Sequence, residues 1–247
     1  MQNNFGKHKL TQISDKVYAP IEWLNTLIPH ELRLLPNPYK ELPYLYFKVA
    51  LDTKPLYKSA ISQKPEAQKI GIISTKDGIV RPKAKKDIRN TYNITADAGF
   101  MQLYSEIFSL HKAKIESFFN VSIIASGDPQ ILIYSPGCFY VRHSDNCTEL
   151  LKDGKLVGFK PVASHRVITT VLFLNDCVTK DPQADEYSGG KLRFDFFFNE
   201  QNEVVTLLPQ GGYMISFLSN PFYSHSVTPV TKGVRISVAQ WHNAIAH

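Results

Sequence analysis

Apolar residues recur every three or four positions between Asp97 and Asn120, which is the spacing of one face of an α-helix. The sequence therefore predicts a long amphipathic helix that packs on the outside of a sheet. A shorter helix is expected over 21–34, because Pro20 stands at its start and Pro36 and Pro38 follow its end.

From Ile131 onward the pattern changes to short β-branched and aromatic runs separated by glycine, proline and polar residues, which is typical of β-strands. The dipeptide Asp153-Gly154 predicts a tight hairpin turn. Many short strands separated by such turn residues predict a β-sandwich or a β-barrel. The predicted strands are 131–134, 139–143, 155–159, 166–174, 191–198, 203–208, 213–218, 224–227 and 234–241.

The order of these elements predicts one domain over 1–247. Residues 1–130 are expected to form a mainly helical support region, and residues 131–247 to form the β core. The length of 247 residues suffices for one well-buried core. Helices come first and strands follow, so the first region should buttress one face of the second.

Composition narrows the class of protein. Hydrophobic residues at 43% and charged residues at 20% are ordinary for a globular protein. No stretch approaches the ~20 consecutive apolar residues of a membrane span, and the N-terminus lacks the apolar segment of a signal peptide. Three cysteines, an odd number, do not form a disulfide framework. We therefore expect a cytoplasmic protein with reduced thiols and no membrane partner.

The net charge of +6 raises the question of an anionic partner. Much of the positive charge lies in the basic run 76–89. A phosphate or acidic-peptide contact is one interpretation of this run. A solvated loop is favoured over it, because the run carries no interleaved aromatic residues.

His143, Asp145 and His225 are candidate metal ligands. Side chains alternate faces along a strand, so His143 and Asp145 should point the same way at the end of the predicted strand 139–143. Two imidazoles and one carboxylate form the ligand set that holds Fe(II) on one side and leaves the other side open. A His-x-Asp pair alone recurs by chance, so the prediction depends on the residues that accompany it.

Arg235 lies in the last predicted strand, on the same face as Ser237 and Trp241. An inward-facing arginine needs an anion, because an unpaired buried charge is strongly unfavourable. A small dicarboxylate fits this need, since a guanidinium can grip a carboxylate through two hydrogen bonds. The Ser237 hydroxyl could donate a third.

Six ordered blocks between residues 131 and 241 resemble the prolyl-4-hydroxylase-like branch of the 2-oxoglutarate- and Fe(II)-dependent oxygenases. The resemblance implies an α+β, mainly β fold with a double-stranded β-helix (jelly-roll) core and N-terminal buttressing helices. The blocks are Tyr134-Ser135-Pro136-Gly137, the run from Tyr140 to Asn146, Arg166 with Leu174-Asn175-Asp176, the run from Ser188 to Phe194, Pro209-Gln210-Gly211-Gly212, and the run from His225 to Trp241.

The resemblance also implies roles for individual residues. His143, Asp145 and His225 would bind Fe(II), Arg235 would hold the distal carboxylate of 2-oxoglutarate, and Tyr134 would line the pocket of that co-substrate. Ascorbate is implied as an optional reductant. The implied enzyme is a dioxygenase that hydroxylates an unactivated C–H bond and converts 2-oxoglutarate and O2 to succinate and CO2.

The chain departs from the family at Phe173. Several related hydroxylases carry a tyrosine there, which helps the arginine to hold the co-substrate carboxylate. Phe173 has no hydroxyl. Either Ser237, Thr169 or Thr170 substitutes for it, or the co-substrate is held differently.

The resemblance does not identify the substrate. We expect an amino-acid side chain, either a peptidyl proline or a free amino acid. A nucleic-acid oxidative demethylase is an alternative, but those enzymes carry a second arginine six positions after the first, where this chain has Trp241. A non-catalytic jelly-roll binding module with structural histidines is the other alternative.

Overall fold

The structure, a computed structural model, describes residues 8–33, 40–64, 68–69, 72–76, 79–83 and 89–247, and for residues 68–83 it describes the backbone alone. Most of the basic run 76–89 therefore lies outside the residues whose side chains are described, and the role of this run stays a prediction.

The described residues form three α-helices and twenty-one strands. The helices are α1 (Ile21–Leu27), α2 (Lys54–Ser62) and α3 (Ala98–Phe119). The strands are β1 (Thr11–Ser14), β2 (Val17–Ala19), β3 (Leu45–Lys48), β4 (Gln68–Lys69), β5 (Ile72–Lys76), β6 (Ile79–Lys83), β7 (Arg89–Asn90), β8 (Tyr92–Ile94), β9 (Val121–Ser126), β10 (Gln130–Tyr134), β11 (Phe139–His143), β12 (Cys147–Lys152), β13 (Lys155–Pro161), β14 (Ile168–Phe173), β15 (Tyr187–Gly189), β16 (Leu192–Phe198), β17 (Val204–Leu207), β18 (Tyr213–Leu218), β19 (His225–Val227), β20 (Val230–Gly233) and β21 (Arg235–Ala246).

Two antiparallel sheets form the centre of the fold. Within the described residues, a seven-stranded sheet runs in the order β1-β2-β16-β19-β11-β7, with β17 beside β16. An eight-stranded sheet runs in the order β3-β18-β14-β21-β10-β8-β4, with β9 also paired to β21. The core strands β10, β11, β14, β16, β18, β19 and β21 alternate between the two sheets along the chain, and this confirms the predicted double-stranded β-helix.

Aromatic side chains fill the space between the two sheets. The rings of Phe194 from β16 and Phe217 from β18 meet edge to face, with their centroids 5.3 Å apart. Phe197 and Tyr223 continue this layer at a centroid distance of 5.0 Å. All four side chains are buried, and each contributes roughly 2–3 kcal/mol through removal of apolar surface from water. One face of each sheet is thereby fixed against the other.

Helix α3 confirms the predicted amphipathic helix. The carboxylate of Asp97 accepts a hydrogen bond from the backbone N–H of Phe100 at 2.7 Å and so caps the N-terminus. Asn120 ends the helix in the left-handed conformation, with φ of 54°. Its buried face lies on the eight-stranded sheet, where the Tyr104 hydroxyl contacts the Gln240 side chain at 3.2 Å.

The first region differs from the prediction of mainly helical support. Strands β1 to β9 alternate there with the three helices, and β3 and β8 extend the eight-stranded sheet by pairing with β18 and β10. Without β3 and β8, the backbone groups of β18 and β10 on those sides would be unpaired, and an unpaired strand edge favours aggregation. Helix α1 also ends earlier than predicted, because Pro29 separates it from a 3-10 turn at His30–Leu32.

The predicted strands of the second region are all present, with shifts of a few residues at their ends. The sequence reasoning missed β12, β15 and β20. Strands β15 and β20 have three and four residues, too few to show a hydrophobic period. Strand β12 forms an exposed hairpin with β13, so its pattern lacks a buried face.

Two further features bear on the expected class of protein. All three cysteines, Cys138, Cys147 and Cys177, are buried, and none of them forms a disulfide. In the part of the chain that the structure describes, no helix combines the length and the apolar character needed to cross a bilayer.

His242 links α3 to the sheet and generates a prediction about stability. Its buried ring stacks on Phe108 at 4.5 Å and contacts the hydroxyls of Thr170 at 2.9 Å and Ser126 at 2.7 Å. Burial lowers the pKa of His242 to about 4. The imidazole therefore stays neutral in the folded state while it is protonated below pH ~6.5 in the unfolded state.

A folded-state pKa below the unfolded-state value means that stability is complete above pH ~6.5 and is lost as the pH falls towards 4. We expect His242→Gln to reduce the loss of unfolding free energy between pH 7 and pH 5, measured by urea titration. His165→Gln at an exposed position is the control and should keep the wild-type pH dependence. An unchanged pH dependence in His242→Gln would contradict this account.

Candidate functional site

Strand pairing brings the two candidate histidines together. His143 at the end of β11 lies directly opposite His225 at the start of β19, and side chains opposite each other in antiparallel strands are neighbours. Asp145 lies in a bend two residues after the end of β11, whose bounds agree with the predicted strand 139–143. One nitrogen of each imidazole and one oxygen of the carboxylate all lie within 4.8 Å of one another.

Backbone carbonyls fix which nitrogen of each histidine faces the cluster. The Nδ1 of His143 is 2.9 Å from the carbonyl oxygen of Val141, and the Nδ1 of His225 is 3.0 Å from that of Tyr223. A carbonyl oxygen only accepts, so Nδ1 carries the hydrogen and donates in both rings. Each Nε2 is left with a lone pair, 3.8 Å and 4.0 Å from the Asp145 carboxylate. Hydrogen bonds of this kind orient metal-binding histidines in proteins.

The Asp145 carboxylate is held by the facing sheet. The Thr169 hydroxyl on β14 donates to Oδ2 at 2.7 Å and also contacts the Ser219 hydroxyl at 2.8 Å. Arg166 donates to the backbone carbonyl of Asp145 at 3.2 Å. Thr169 is therefore occupied with Asp145, and the hypothesis that it replaces the missing hydroxyl at Phe173 loses support.

Electrostatics keep the cluster in the form that suits a cation. Burial and the neighbouring His225 lower the pKa of His143 to about 3, so its imidazole is neutral at ordinary pH. Burial alone would raise the pKa of Asp145. His225, His143 and the Thr169 hydrogen bond have a larger combined effect in the opposite direction, so the pKa is below its ordinary value and the carboxylate is ionised. The neutral imidazole of His143 and the ionised carboxylate of Asp145 thus lie together with His225 in one buried cluster that suits a cation.

Arg235 forms a second group of polar residues, on the eight-stranded sheet. It is the first residue of β21 and pairs with Tyr134 of β10, while Phe173 of β14 pairs with Ser237. The guanidinium carbon of Arg235 lies 4.7 Å from the Tyr134 ring centroid and 5.5 Å from that of Phe173. The structure thus brings Arg235, Tyr134 and Ser237 together, as the sequence predicts.

This second group contains buried donors without partners. Arg235 has only 2% of its surface exposed, and in the described part of the chain no acceptor is in hydrogen-bonding position for its Nε and Nη1. The Ser237 hydroxyl is fully buried and equally without a partner among the described residues. Thr170 is occupied elsewhere, since its hydroxyl contacts His242. Of the three proposed substitutes for the hydroxyl at Phe173, Ser237 alone stays free.

Sequence reasoning missed Tyr187, which lies in this second group. Its side chain is fully buried, and the Arg235 charge acts to lower the pKa of its hydroxyl while burial, the larger effect, raises it. A Cβ added at Gly190 would lie 3.0 Å from the Tyr187 ring and 3.1 Å from Cδ of Arg235. The sequence contains one sign of this contact, the pair Gly189-Gly190 shortly after Tyr187, because glycine lets neighbouring side chains approach the backbone closely.

Tyr140 packs directly against the metal-ligand cluster. Its ring stacks on His143 at a centroid distance of 3.5 Å, and the guanidinium of Arg89 lies 4.6 Å from its centroid. Burial raises the pKa of Tyr140 to about 12, and Asp145 and Tyr134 act in the same direction. Tyr140 thus forms part of the wall of the metal-ligand cluster.

The donor sets fit a metal and an organic anion. Two imidazole nitrogens with a carboxylate suit a divalent metal such as Fe(II) and leave coordination positions open. Unpartnered buried donors around Arg235 suit a carboxylate, because such donors are strongly unfavourable without an acceptor. The two groups together can therefore hold a metal and a small carboxylate beside it.

Comparison with known proteins agrees with this geometry. A family description, the 2OG-Fe(II) oxygenase superfamily, matches residues 129–243. The match spans just under half of the chain and contains His143, Asp145, His225 and Arg235. The family description and the cluster of two histidines and one aspartate support Fe(II) as the cofactor and 2-oxoglutarate as the co-substrate, as the sequence analysis expected.

Curated relatives of the superfamily domain are similar over a limited stretch. Prolyl 3-hydroxylase 3 from Homo sapiens is 30% identical over 103 residues, which is 40% of this chain and 12% of the relative. The protein of the same name from Mus musculus is 29% identical over the same length and shares. This chain thus spans about an eighth of the length of these relatives.

Solved oxygenase structures share the fold. A prolyl-4-hydroxylase from Pseudomonas putida has a TM-score of 0.53 at 20% identity, covering 81% of this chain and 91% of its own. A prolyl hydroxylase from Trichoplax adhaerens, solved with a hypoxia inducible factor peptide, has a TM-score of 0.59 at 16% identity, covering 81% and 83%. A viral collagen prolyl hydroxylase from Paramecium Bursaria Chlorella virus-1, solved with 2OG, has a TM-score of 0.52 at 17% identity, covering 82% and 96%.

The Thr169 contact generates a prediction about metal binding by the oxygenase domain. Thr169→Val keeps the shape of the side chain but removes the hydrogen bond to Asp145. We expect Fe(II) affinity to fall about 10- to 100-fold, as is common when the group that orients a metal ligand is lost. Anaerobic calorimetric titration with Fe(II) measures this.

Thr170→Val is the matched control, because the Thr170 hydroxyl contacts His242 and not Asp145. It should bind Fe(II) with wild-type affinity, even though it lowers thermal stability. Equal losses of Fe(II) affinity in both variants would show that Thr169 acts through general stability alone.

Proposed function

We propose that this chain is an Fe(II)- and 2-oxoglutarate-dependent dioxygenase that hydroxylates an unactivated C–H bond on an amino-acid side chain. In this proposal His143, Asp145 and His225 bind Fe(II). Arg235, with Ser237 beside it, holds the distal carboxylate of 2-oxoglutarate, and Tyr134 lines the pocket. The whole chain acts as one domain, with the core at 131–247.

One observation carries the proposal. The interior of the β-helix holds a buried carboxylate beside two imidazoles and, separately, a buried guanidinium whose Nε and Nη1 have no acceptor among the residues that the structure describes. A cation satisfies the first group and a dicarboxylate satisfies the second. No arrangement of structural histidines explains the second group, and this counts against a non-catalytic binding module.

In this proposal each group of residues has a separate role in binding the metal or the co-substrate. The two backbone carbonyls keep each Nε2 free to bind the metal, and Thr169 holds the Asp145 carboxylate in a fixed position. Arg235 orients the co-substrate through its charge, and the aromatic layer around Phe217 excludes water. Bound Fe(II) and 2-oxoglutarate supply the oxidising chemistry with O2, and succinate and CO2 are the by-products.

A peptidyl proline or a free amino acid is the substrate we propose. The hydroxylase names of the relatives and of the neighbouring structures support this choice. The nucleic-acid demethylase stays the weaker alternative, because Trp241 stands where those enzymes carry their second arginine. Here the Trp241 ring lies 4.2 Å below the Arg166 guanidinium. The cytoplasmic location stays a prediction.

Anaerobic addition of Fe(II) and 2-oxoglutarate tests the metal and co-substrate assignment. We expect a visible charge-transfer band in the wild-type protein that is absent in His143→Ala. His165→Ala, which removes an exposed histidine outside the cluster, should keep the band. Absence of the band in the wild type would favour the non-catalytic binding module.

The substrate class requires a separate test. Free amino acids and proline-containing peptides are screened for those that stimulate succinate formation, and mass spectrometry then examines the stimulating compounds. We expect a gain of one oxygen atom in an amino acid or a peptide. Demethylated nucleobases, formed instead, would replace the proposed substrate class with the alternative.

A further inference from the structure

The family's tyrosine hydroxyl beside the co-substrate carboxylate is missing at Phe173, yet another tyrosine, Tyr187, lies beside Arg235. Phe173 lies beside Arg235, with the guanidinium carbon 5.5 Å from its ring centroid. Tyr187 on β15 reaches Arg235 from a different direction along the chain. Phe173 and Tyr187 lie on different strands, β14 and β15, and the fold brings both of them close to Arg235.

Several constraints fix Tyr187 in this position. It pairs with Gly233 across β15 and β20, two residues before Arg235 in the chain. A Cβ at Gly233 would lie 2.9 Å from Cα of Tyr187, and φ of Gly233 is +76°. Glycine is therefore required there for Tyr187 to approach. A Cβ added at Gly190 would lie 3.0 Å from the Tyr187 ring and 3.1 Å from Cδ of Arg235, so both side chains approach the backbone at this glycine.

The Tyr187 hydroxyl lacks a well-formed hydrogen bond although it is fully buried. Arg235 lies close enough for a side-chain hydrogen bond that lowers the pKa of this hydroxyl, but no partner has well-formed hydrogen-bond geometry among the residues that the structure describes. A buried hydroxyl without a partner costs about 1–3 kcal/mol. It shares this condition with Nε and Nη1 of Arg235 and with the Ser237 hydroxyl. Four unpartnered donor groups thus lie in one buried region, and all of them can donate to one carboxylate.

We propose that Tyr187 supplies the second contact to the distal carboxylate of 2-oxoglutarate, in place of the hydroxyl that Phe173 lacks. Arg235 provides the charge, and the hydroxyls of Tyr187 and Ser237 provide neutral hydrogen bonds to the same carboxylate. Tyr187 is then a positioning residue that sets the preference for a dicarboxylate. This inference rests on the proposed function, since it presupposes that 2-oxoglutarate binds at Arg235.

The test measures binding rather than turnover. Calorimetry of the Fe(II)-loaded protein under anaerobic conditions compares 2-oxoglutarate with 2-oxopentanoate, which has the same carbon chain but a methyl group in place of the distal carboxylate. We expect Tyr187→Phe to weaken 2-oxoglutarate about 10- to 100-fold, as for loss of a hydrogen bond to a charged group. The affinity for 2-oxopentanoate should not change.

A rescue variant separates this role from a general effect on the fold. In Phe173→Tyr combined with Tyr187→Phe, the hydroxyl returns from β14, and we expect most of the lost affinity for 2-oxoglutarate to return. Tyr104→Phe is the matched control, because it removes a buried hydroxyl that contacts Gln240 on the outer face of the same sheet. It should leave both affinities unchanged. If Tyr187→Phe alone does not fold, Phe173→Tyr in the wild-type background is measured against the same ligands, and a second hydroxyl at Arg235 should then leave 2-oxopentanoate affinity unchanged.

The outcomes are distinguishable. Wild-type affinity for 2-oxoglutarate in the Tyr187 variant overturns the role of Tyr187 and leaves the proposed function intact. Equal weakening of both keto acids also overturns it, since the distal carboxylate is then not involved. Failure of the wild-type protein to bind 2-oxoglutarate at all contradicts the proposed function itself.

Discussion

Two buried charges of opposite sign that do not pair with each other are the constraint on which the structure depends. Asp145 lies beside His143 and His225, whereas Arg235 lies among aromatic rings and free hydroxyls. Each charge would be strongly unfavourable in an apolar interior without a counter-ion. The interior is therefore built for a cation at one place and an anion at another. A metal with an organic acid beside it satisfies both charges, which links stability of the fold to the proposed chemistry.

The architecture explains how these charges stay apart and in register. The histidines and Asp145 come from the region of β11 and β19 in the seven-stranded sheet, and Arg235 comes from β21 in the eight-stranded sheet. Hydrogen bonding across the sheets holds the pieces, as with Thr169 and Asp145. Helix α3 covers the outer face of β21, where Tyr104 and Phe108 contact Gln240 and His242. The outer layer thus supports the strand that carries Arg235.

Much of the site could be predicted from the sequence because its residues lie in strands with a period of two. The alternation along β21 places Arg235 and Ser237 on one face, and the structure agrees. The left-handed cap at Asn120 and the capping carboxylate of Asp97 likewise agree with the apolar period of α3. Local patterns of this kind need no knowledge of distant partners.

The remaining features depend on contacts between distant segments, which a single sequence does not show. Tyr187 lies in a three-residue strand, and its proximity to Arg235 arises only when β15 pairs with β20. Thr169 was considered for a role at the co-substrate. Its hydroxyl instead donates to Asp145, which follows a strand of the facing sheet. Strand β3 was missed for the same reason, since it is a short edge strand whose partner β18 lies far along the chain.

X-ray absorption at the iron edge, on anaerobic protein loaded with Fe(II) and 2-oxoglutarate, tests the central claim most directly. The account predicts scattering from two imidazole rings, the remaining ligands being oxygen, with one imidazole lost in His225→Ala. Sulfur at bonding distance from the iron, or a signal from iron without any imidazole, would contradict it.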